Sequence, residues 1–280
     1  MSTTDTPNTR EAGTGECCLC GSQGLVPFIE VEGREIRRCE RCGLGETVCP
    51  SPKESQASYD AAYLEKQWTG ADPSPEQIEQ AVRAELPRLR RVERAACGSR
   101  LLEVGPGHRY FLEAARRRGF EPRGIDVSSA AAELCASRFG IAVEVTSVEE
   151  ATIPDSRLDV VVAWHVLEHL ADPFAALRRV RCWLAPAGII GVEVPNYESY
   201  DARQLGADWQ GWQPTYHRWH FAPRTLDRML RETGFTVART WHSPSRIARE
   251  RLKRIPVVGL FRRVLWKLYP GTGVAAIARR

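Results

Sequence analysis

The chain has 280 residues and a formal net charge of +4, with 43% hydrophobic and 26% charged residues. These proportions are typical of a globular protein with enough apolar mass for a core. The mild net charge by itself argues for neither a nucleic-acid nor a membrane partner, and no apolar run reaches the roughly 18–20 residues of a membrane span. The length suits one α/β domain of ordinary size with a small appendage.

The N-terminal segment is polar and lacks the apolar core of a signal peptide. We therefore expect residues 1–15 to form a disordered tail on a cytoplasmic protein. In that compartment, nine cysteines are more readily explained as metal ligands or buried thiols than as disulfides.

Two Cys-x-x-Cys pairs follow the tail, with eighteen residues between them. Each pair is followed by a glycine, Gly21 or Gly43, which lets the backbone turn its amides toward the sulfurs. The intervening residues alternate as a short hairpin does, so the spacing predicts a zinc ribbon over residues 16–50. Four thiolates leave no open position for water, so the Zn²⁺ should be structural. The predicted ligands are Cys17, Cys20, Cys39 and Cys42; the alternative is four unliganded cysteines.

Residues 51–96 are expected to be a linker followed by a helical segment. The linker is rich in Pro, Ser, Asp and Gln, and the helix should run from Glu76 to Ala96, where Pro87 kinks or divides it. Residues 97–280 then alternate as an α/β protein does. Strands are predicted at 100–104, 121–126, 141–145, 158–164, 188–194, 235–241 and 274–278, and helices at 109–118, 129–139, 173–184 and 223–234.

The stretch from Leu101 to Phe111 reads as a strand, a tight glycine turn and the start of a helix. Gly105 and Gly107 let the backbone approach a ligand closely, as in the first turn of a nucleotide-binding βαβ unit. The dinucleotide fingerprint needs a third Gly or Ala where this chain has Tyr110, which disfavours NAD.

A second acid, Asp126, closes the next apolar run. Glu103-Val-Gly-Pro-Gly107 followed by Gly-Ile-Asp126 resembles motifs I and II of the class I S-adenosylmethionine (SAM) dependent methyltransferases, with Arg109 where the family has its third glycine. The resemblance implies a Rossmann-like, seven-stranded sheet whose last strand is antiparallel, and SAM as cofactor. The cofactor-binding residues that it implies are Glu103, Gly105, Pro106, Gly107, Asp126, Val127, Ser147, Val148, Trp164 and His165.

Three later segments extend the resemblance over roughly residues 96–240. Trp164-His-Val-Leu-Glu-His169 is similar to a segment of the subgroup related to ubiquinone-type O-methyltransferases. The turn from Leu184 to Gly188 and the Val-Pro-Asn that ends at Asn196 resemble the boundaries of the fifth strand in that subgroup.

Polar side chains follow the strand that ends at Trp164. His165, Glu168 and His169 would share one face if the segment is helical. They could brace the pocket by hydrogen bonds, place a polar contact or base near the transferred methyl group, or bind a divalent metal.

Residues 206–222 are rich in aromatic side chains and contain His217 and His220. A long loop of this composition is more often functional than idle. It resembles the lid over the acceptor pocket in the same subgroup, and the alternative is simple aromatic packing. The candidates for a catalytic general base are His169, His217 and His220.

Residues 245–270 carry eight Lys or Arg against one acid, Glu250, interleaved with apolar residues. We interpret them as a basic amphipathic insertion that packs on the sheet or on a partner subunit. Contact with an anionic surface at the inner membrane, or with RNA, is the alternative.

These observations favour a methyltransferase that acts on a small molecule: a sugar, a polyketide or another secondary metabolite. We do not expect nucleic acid as a partner, and the sequence gives no oligomeric state. Two alternatives stay open, an RNA methyltransferase that uses the ribbon and the basic segment, and a non-catalytic protein with the SAM-binding fold.

Overall fold

The computed structural model describes residues 15–48, 73–107, 110–252 and 269–280. Residues 1–14 of the expected tail, most of the linker, Arg109 and most of the basic segment therefore lie outside the described residues. Within the described ranges, no helix is both long enough and apolar enough to cross a membrane.

The described residues form eleven strands and seven α-helices. The strands are β1 (Leu25–Val31), β2 (Arg34–Cys39), β3 (Gly45–Thr47), β4 (Arg100–Val104), β5 (Glu121–Asp126), β6 (Val143–Val145), β7 (Leu158–Trp164), β8 (Leu184–Pro195), β9 (Trp219–His220), β10 (Thr236–Pro244) and β11 (Pro270–Arg279). The helices are α1 (Pro75–Glu93), α2 (Phe111–Arg117), α3 (Ser129–Phe139), α4 (Pro173–Trp183), α5 (Tyr200–Leu205), α6 (Pro223–Glu232) and α7 (Arg246–Leu252).

The main sheet has seven strands in the order β10-β11-β8-β7-β4-β5-β6. Strands β4 to β8 run parallel, whereas β11 is antiparallel to both of its neighbours. This confirms the predicted Rossmann-like sheet with an antiparallel last strand. Because the parallel strands end at the same edge, the loops after β4, β5, β6 and β7 meet there.

Alternating residues of the central strand β7 face opposite sides of the sheet. Val160 and Val162 pack with residues of α1 and α2, whereas Val161 packs with residues of α4 and α6. All three valines are fully buried. Helices on both faces explain why β7 is continuously apolar from Val160 to Trp164 rather than alternating.

Helix α1 begins at a capping box in which Ser74 and Gln77 satisfy each other's backbone amides. Pro87 lies inside this helix, which has continuous bounds. The expectation that Pro87 divides the helix is therefore wrong. Buried residues on both sides of the proline, Val82 and Leu89, hold both halves against the sheet, which offsets the loss of one hydrogen bond.

The N-terminal region forms a second sheet, in the order β1-β2-β3-β9. The hairpin β1–β2 turns at Glu32 and Gly33, both with positive φ, as a two-residue turn of this hand requires. Strand β9 comes from the loop 206–222. The predicted ribbon and the predicted lid thus share one sheet, which the sequence analysis did not anticipate.

Candidate active site

Close packing requires a glycine in the turn after β4. Gly105 has φ +64°, and a Cβ there would lie 2.9 Å from a methyl carbon of Val166. Its amide donates to the carbonyl of Ile125 at 2.8 Å, which ties the turn to the end of β5. A larger residue would strain the backbone and collide with the loop after β7.

Asp126 ends β5 beside this turn. One carboxylate oxygen accepts from the amide of Gly107 at 2.9 Å and the other from the amide of Ser128 at 2.9 Å. A single side chain therefore fixes the turns after two neighbouring strands. The sequence predicts Asp126 as a site residue but does not predict these two hydrogen bonds.

A pocket opens at the carboxyl edge of the sheet, over the ends of β4, β5 and β6. The residues predicted to bind the cofactor that line it are Gly105, Asp126, Val127, Ser147 and Val148. The other lining residues are Val104, Ile125, Thr146, Glu149, Val166, His169, Leu170, Ala171 and Tyr216. The last of these comes from the predicted lid. One end of the pocket is therefore lined by residues predicted to bind the cofactor, and the other end lies at the predicted lid.

Other residues that are predicted to bind the cofactor do not line the pocket. Gly107 and the buried Pro106 continue the glycine turn, and Glu103 is fully buried on β4. Trp164 is also buried, and its ring lies edge-on to Phe111 with the centroids 5.4 Å apart. The alternation of β7 turns this indole toward the α1 face, so its side chain does not line the pocket.

His165 has a positive φ of 58° and lies between two carboxylates. Its Nδ1 is 3.3 Å from Glu168 Oε1, and its Nε2 is 3.7 Å from Glu193 Oε1. Arg88 donates to Glu193 at 2.8 Å. Burial raises the pKa of both carboxyls. For Glu168 the neighbouring His165 outweighs burial, and for Glu193 His165 and Arg88 together do so. Each pKa is therefore about 2.

His169 is the predicted catalytic histidine that lines the pocket. Its Nδ1 is 3.0 Å from the carbonyl oxygen of Tyr216, and its ring lies edge-on to that of His217 with the centroids 4.7 Å apart. Ligand atoms of Glu168, His169 and His217 lie within 4.8 Å of one another, a set that could hold a cation. The sequence predicts His165 in that set instead of His217.

His217 and His220 are buried in the lid, and neither lines the pocket. His217 Nδ1 is 3.0 Å from the carbonyl oxygen of Gly211, and His220 Nε2 is 2.8 Å from Thr47 Oγ1 in β3. His220 therefore joins the lid to the ribbon, and its place does not support the predicted role as a base. No local pattern in the sequence could have paired His220 with Thr47, because 173 residues separate them.

The two Cys-x-x-Cys turns come together as predicted. Cys17 Sγ is 3.4 Å from Cys42 Sγ, and Cys20 Sγ is 3.5 Å from Cys39 Sγ. All four cysteines are free, and ligand atoms of all four lie within 4.8 Å of one another. A partly buried set of four sulfurs with main-chain turns around it suits tetrahedral Zn²⁺.

The buried histidines make stability depend on pH. Burial lowers the pKa of His217 and of His220 from 6.5 to about 3. Below pH 6.5 the unfolded chain therefore takes up protons that the folded chain does not, and stability falls as the pH falls toward 3. We expect the free energy of unfolding in urea to drop by about 2 kcal/mol between pH 6.5 and 5.5. A slope that stays the same when His217 and His220 are both replaced by Gln would contradict this contribution of the two rings.

Comparison with known proteins agrees with this geometry. A family model described as a methyltransferase domain matches residues 75–240. The ubiquinone biosynthesis O-methyltransferase of Rhodopseudomonas palustris (strain BisB5) is 34% identical over 151 residues, which cover 50% of this chain and 59% of that protein. The one from Alkalilimnicola ehrlichii is 35% identical over 152 residues, covering 50% and 62%. The chain thus spans less than two thirds of the length of these curated relatives.

Solved structures extend the likeness. A SAM-dependent methyltransferase from Archaeoglobus fulgidus is 25% identical with a TM-score of 0.56, covering 79% of this chain and 100% of that one. The 1,6-didemethyltoxoflavin-N1-methyltransferase of Burkholderia thailandensis, solved with S-adenosylhomocysteine, is 16% identical with a TM-score of 0.51, covering 91% of this chain and 98% of that one. The second likeness concerns the fold alone. The family model covers more than half of the chain, so the chain belongs to the methyltransferase-domain family.

Proposed function

We propose that the chain transfers the methyl group of SAM to a small-molecule acceptor that enters from the lid end of the pocket. The observation that carries this proposal is that a single pocket is lined by Gly105 and Asp126 at one end and by His169 and Tyr216 at the other. A cofactor at the first end would present its methyl group toward the second.

Each part of SAM has a suitable neighbour. Asp126 would accept hydrogen bonds from the ribose hydroxyls, and Ser147 and Val148 would flank the adenine. The turn from Gly105 to Gly107 would admit the methionine portion. SAM supplies an already activated methyl group, so the protein has mainly to hold the acceptor in line with the S–CH₃ bond in a dry pocket. Such orientation supplies roughly 7–11 kcal/mol in well-ordered cases.

His169 is our candidate for the base, should the acceptor have to lose a proton. A carbonyl can only accept, so Nδ1 must donate to Tyr216 O at 3.0 Å. In the neutral ring the lone pair is then on Nε2, where it can take the proton of a hydroxyl. The curated relatives are named O-methyltransferases, which supports an oxygen acceptor.

The charges of the ribbon favour a small acceptor over RNA. Between Cys17 and Cys42, four arginines are matched by four glutamates, so this region has no excess positive charge for phosphates. They are Arg34, Arg37, Arg38 and Arg41, with Glu30, Glu32, Glu35 and Glu40. A sugar, a polyketide or another secondary metabolite is the class that we propose.

We also propose that Cys17, Cys20, Cys39 and Cys42 hold one structural Zn²⁺. Their proximity and the glycine turns at Gly21 and Gly43, with φ +67° and +80°, support this. None of the described ribbon residues lines the pocket, so the metal would stabilise the fold and take no part in the chemistry.

The function is tested with methyl-labelled SAM and an extract of the source cells. The purified protein is incubated with the extract, which is then divided into small-molecule, RNA and protein fractions. We expect label in the small-molecule fraction, where mass analysis identifies the product. Label confined to RNA would contradict the proposal and favour the alternative acceptor.

The cofactor site is tested by Asp126→Ala. Removing this carboxylate deletes an acceptor for the ribose and releases the Gly107 amide, so we expect the affinity for S-adenosylhomocysteine to fall at least about tenfold. The exposed Asp155 provides a matched control, since Asp155→Ala removes the same charge away from the pocket. Titration calorimetry that finds equal affinity in both variants would remove Asp126 from the site.

The zinc site is tested by metal analysis of the purified chain. We expect about one zinc per chain, because one set of four thiolates binds one ion. Cys39→Ser should lose the metal, whereas Cys97→Ser, which changes an exposed free cysteine, should keep it. Equal metal content in the two variants would show that the cysteine cluster is not the ligand set.

A further inference from the structure

Strand β3 of the ribbon pairs with the lid as well as with the rest of the ribbon. On one side it pairs with β2, and on the other it pairs with β9, where Gly45 lies opposite His220 and Glu46 lies opposite Trp219. The two strands approach so closely that a Cβ at Gly45 would lie 2.8 Å from the Cβ of His220. The lid is thus added to the ribbon as an extra strand, with main-chain pairing.

Thr47, at the end of β3, makes the side-chain part of this connection and is 1% exposed. Its Oγ1 lies 2.8 Å from the carbonyl oxygen of His217 and 2.8 Å from His220 Nε2. A carbonyl can only accept, so the single hydroxyl proton goes to His217 and the His220 ring must donate from Nε2. The backbone amide of Thr47 also donates to the carbonyl of Arg218 at 2.9 Å.

The other side of the same lid segment rests on the loop after β7. The amides of Arg218 and Trp219 donate to the carbonyl of Glu168 at 2.8 and 3.1 Å. The indole of Trp219 donates to the carbonyl of Leu170 at 2.8 Å. Leu170 lines the pocket, so residues 217–219 are held between the ribbon and the pocket wall.

The cysteine turn leads directly into β3. Leu44 follows Cys42 by two residues, and its amide lies 3.5 Å from Cys42 Sγ. A second tether to the same turn does not involve the lid, because Thr225 Oγ1, in α6, donates to the carbonyl of Cys42 at 3.3 Å. The ribbon is therefore attached both through the lid and by contacts that bypass it, which also include the hydrogen bond from the Tyr197 hydroxyl to the carbonyl of Gly43.

We propose that Thr47 is a positioning residue through which the metal-bound ribbon fixes the lid segment 216–220 against the acceptor end of the pocket. This inference rests on the proposed function for the meaning of the acceptor end. Thr47 does not line the pocket, and it acts through His217, Arg218 and His220. The ribbon is then part of the acceptor site rather than a separate nucleic-acid module.

The histidine tautomers give a test that needs no turnover. In the full-length, zinc-loaded protein labelled with ¹⁵N-histidine, we expect His220 to carry its proton on Nε2 and His217 on Nδ1. Thr47→Val removes the hydroxyl at nearly constant volume, so the His220 signal should move and hydrogen exchange at the amides of residues 217–219 should speed up on the order of tenfold, as expected for one lost buried hydrogen bond.

Two variants control this experiment. Thr47→Ser keeps the hydroxyl and should restore the wild-type signals. Thr225→Val breaks a tether that bypasses the lid and should leave the lid signals unchanged. Zinc content and affinity for S-adenosylhomocysteine should match wild type in all three variants. Once the labelling experiment has supplied an acceptor, Thr47→Val should raise its KM about tenfold and leave the KM for SAM unchanged.

Several results would overturn the proposal. Wild-type histidine signals and exchange in Thr47→Val would show that the hydroxyl does not hold the lid. Loss of zinc or of S-adenosylhomocysteine binding in Thr47→Val would assign Thr47 to the general fold, and so would an equal effect of Thr225→Val. Failure of the wild-type protein to bind S-adenosylhomocysteine would instead overturn the proposed function, while the tautomers would still report on the Thr47 contacts.

Discussion

The site depends on the carboxylate of Asp126 at the carboxyl edge of the parallel sheet. By accepting from the amides of Gly107 and Ser128, it locks the turns after β4 and β5 to each other. The glycine turn then keeps the positive φ that only glycine adopts without strain, and Val166 can pack against it. This arrangement preorganises one end of the pocket, which lowers the cost of ordering a ligand there.

The other end of the pocket is built from parts that are distant in sequence. The loop after β7 meets the lid at Glu168, where the carbonyl accepts from two amides of the lid and the buried carboxylate lies near His165. The lid in turn meets the ribbon at Thr47. The shape of this end of the pocket therefore depends on contacts among three segments rather than on a single loop.

Much of the main fold could be predicted because its signals are local. The observed bounds of β4, β5, β7 and α3 equal the predicted ones, since each is a short run with clear turns or caps at its ends. The pairing of β3 with β9 and the hydrogen bond from Thr47 to the lid could not be predicted, because contacts across about 170 residues leave no periodic pattern. For the same reason the sequence grouped His165 with both Glu168 and His169. The fold keeps His165 beside Glu168 but brings His217, not His165, close to both.

A crystal structure of the chain with S-adenosylhomocysteine tests the central claim most directly. The account predicts the ribose hydroxyls on Asp126, the adenine beside Ser147 and Val148, and the sulfur directed toward His169 under the lid. A nucleoside bound elsewhere, or a sulfur that points away from His169, would contradict the assignment of the acceptor end on which the proposed function rests.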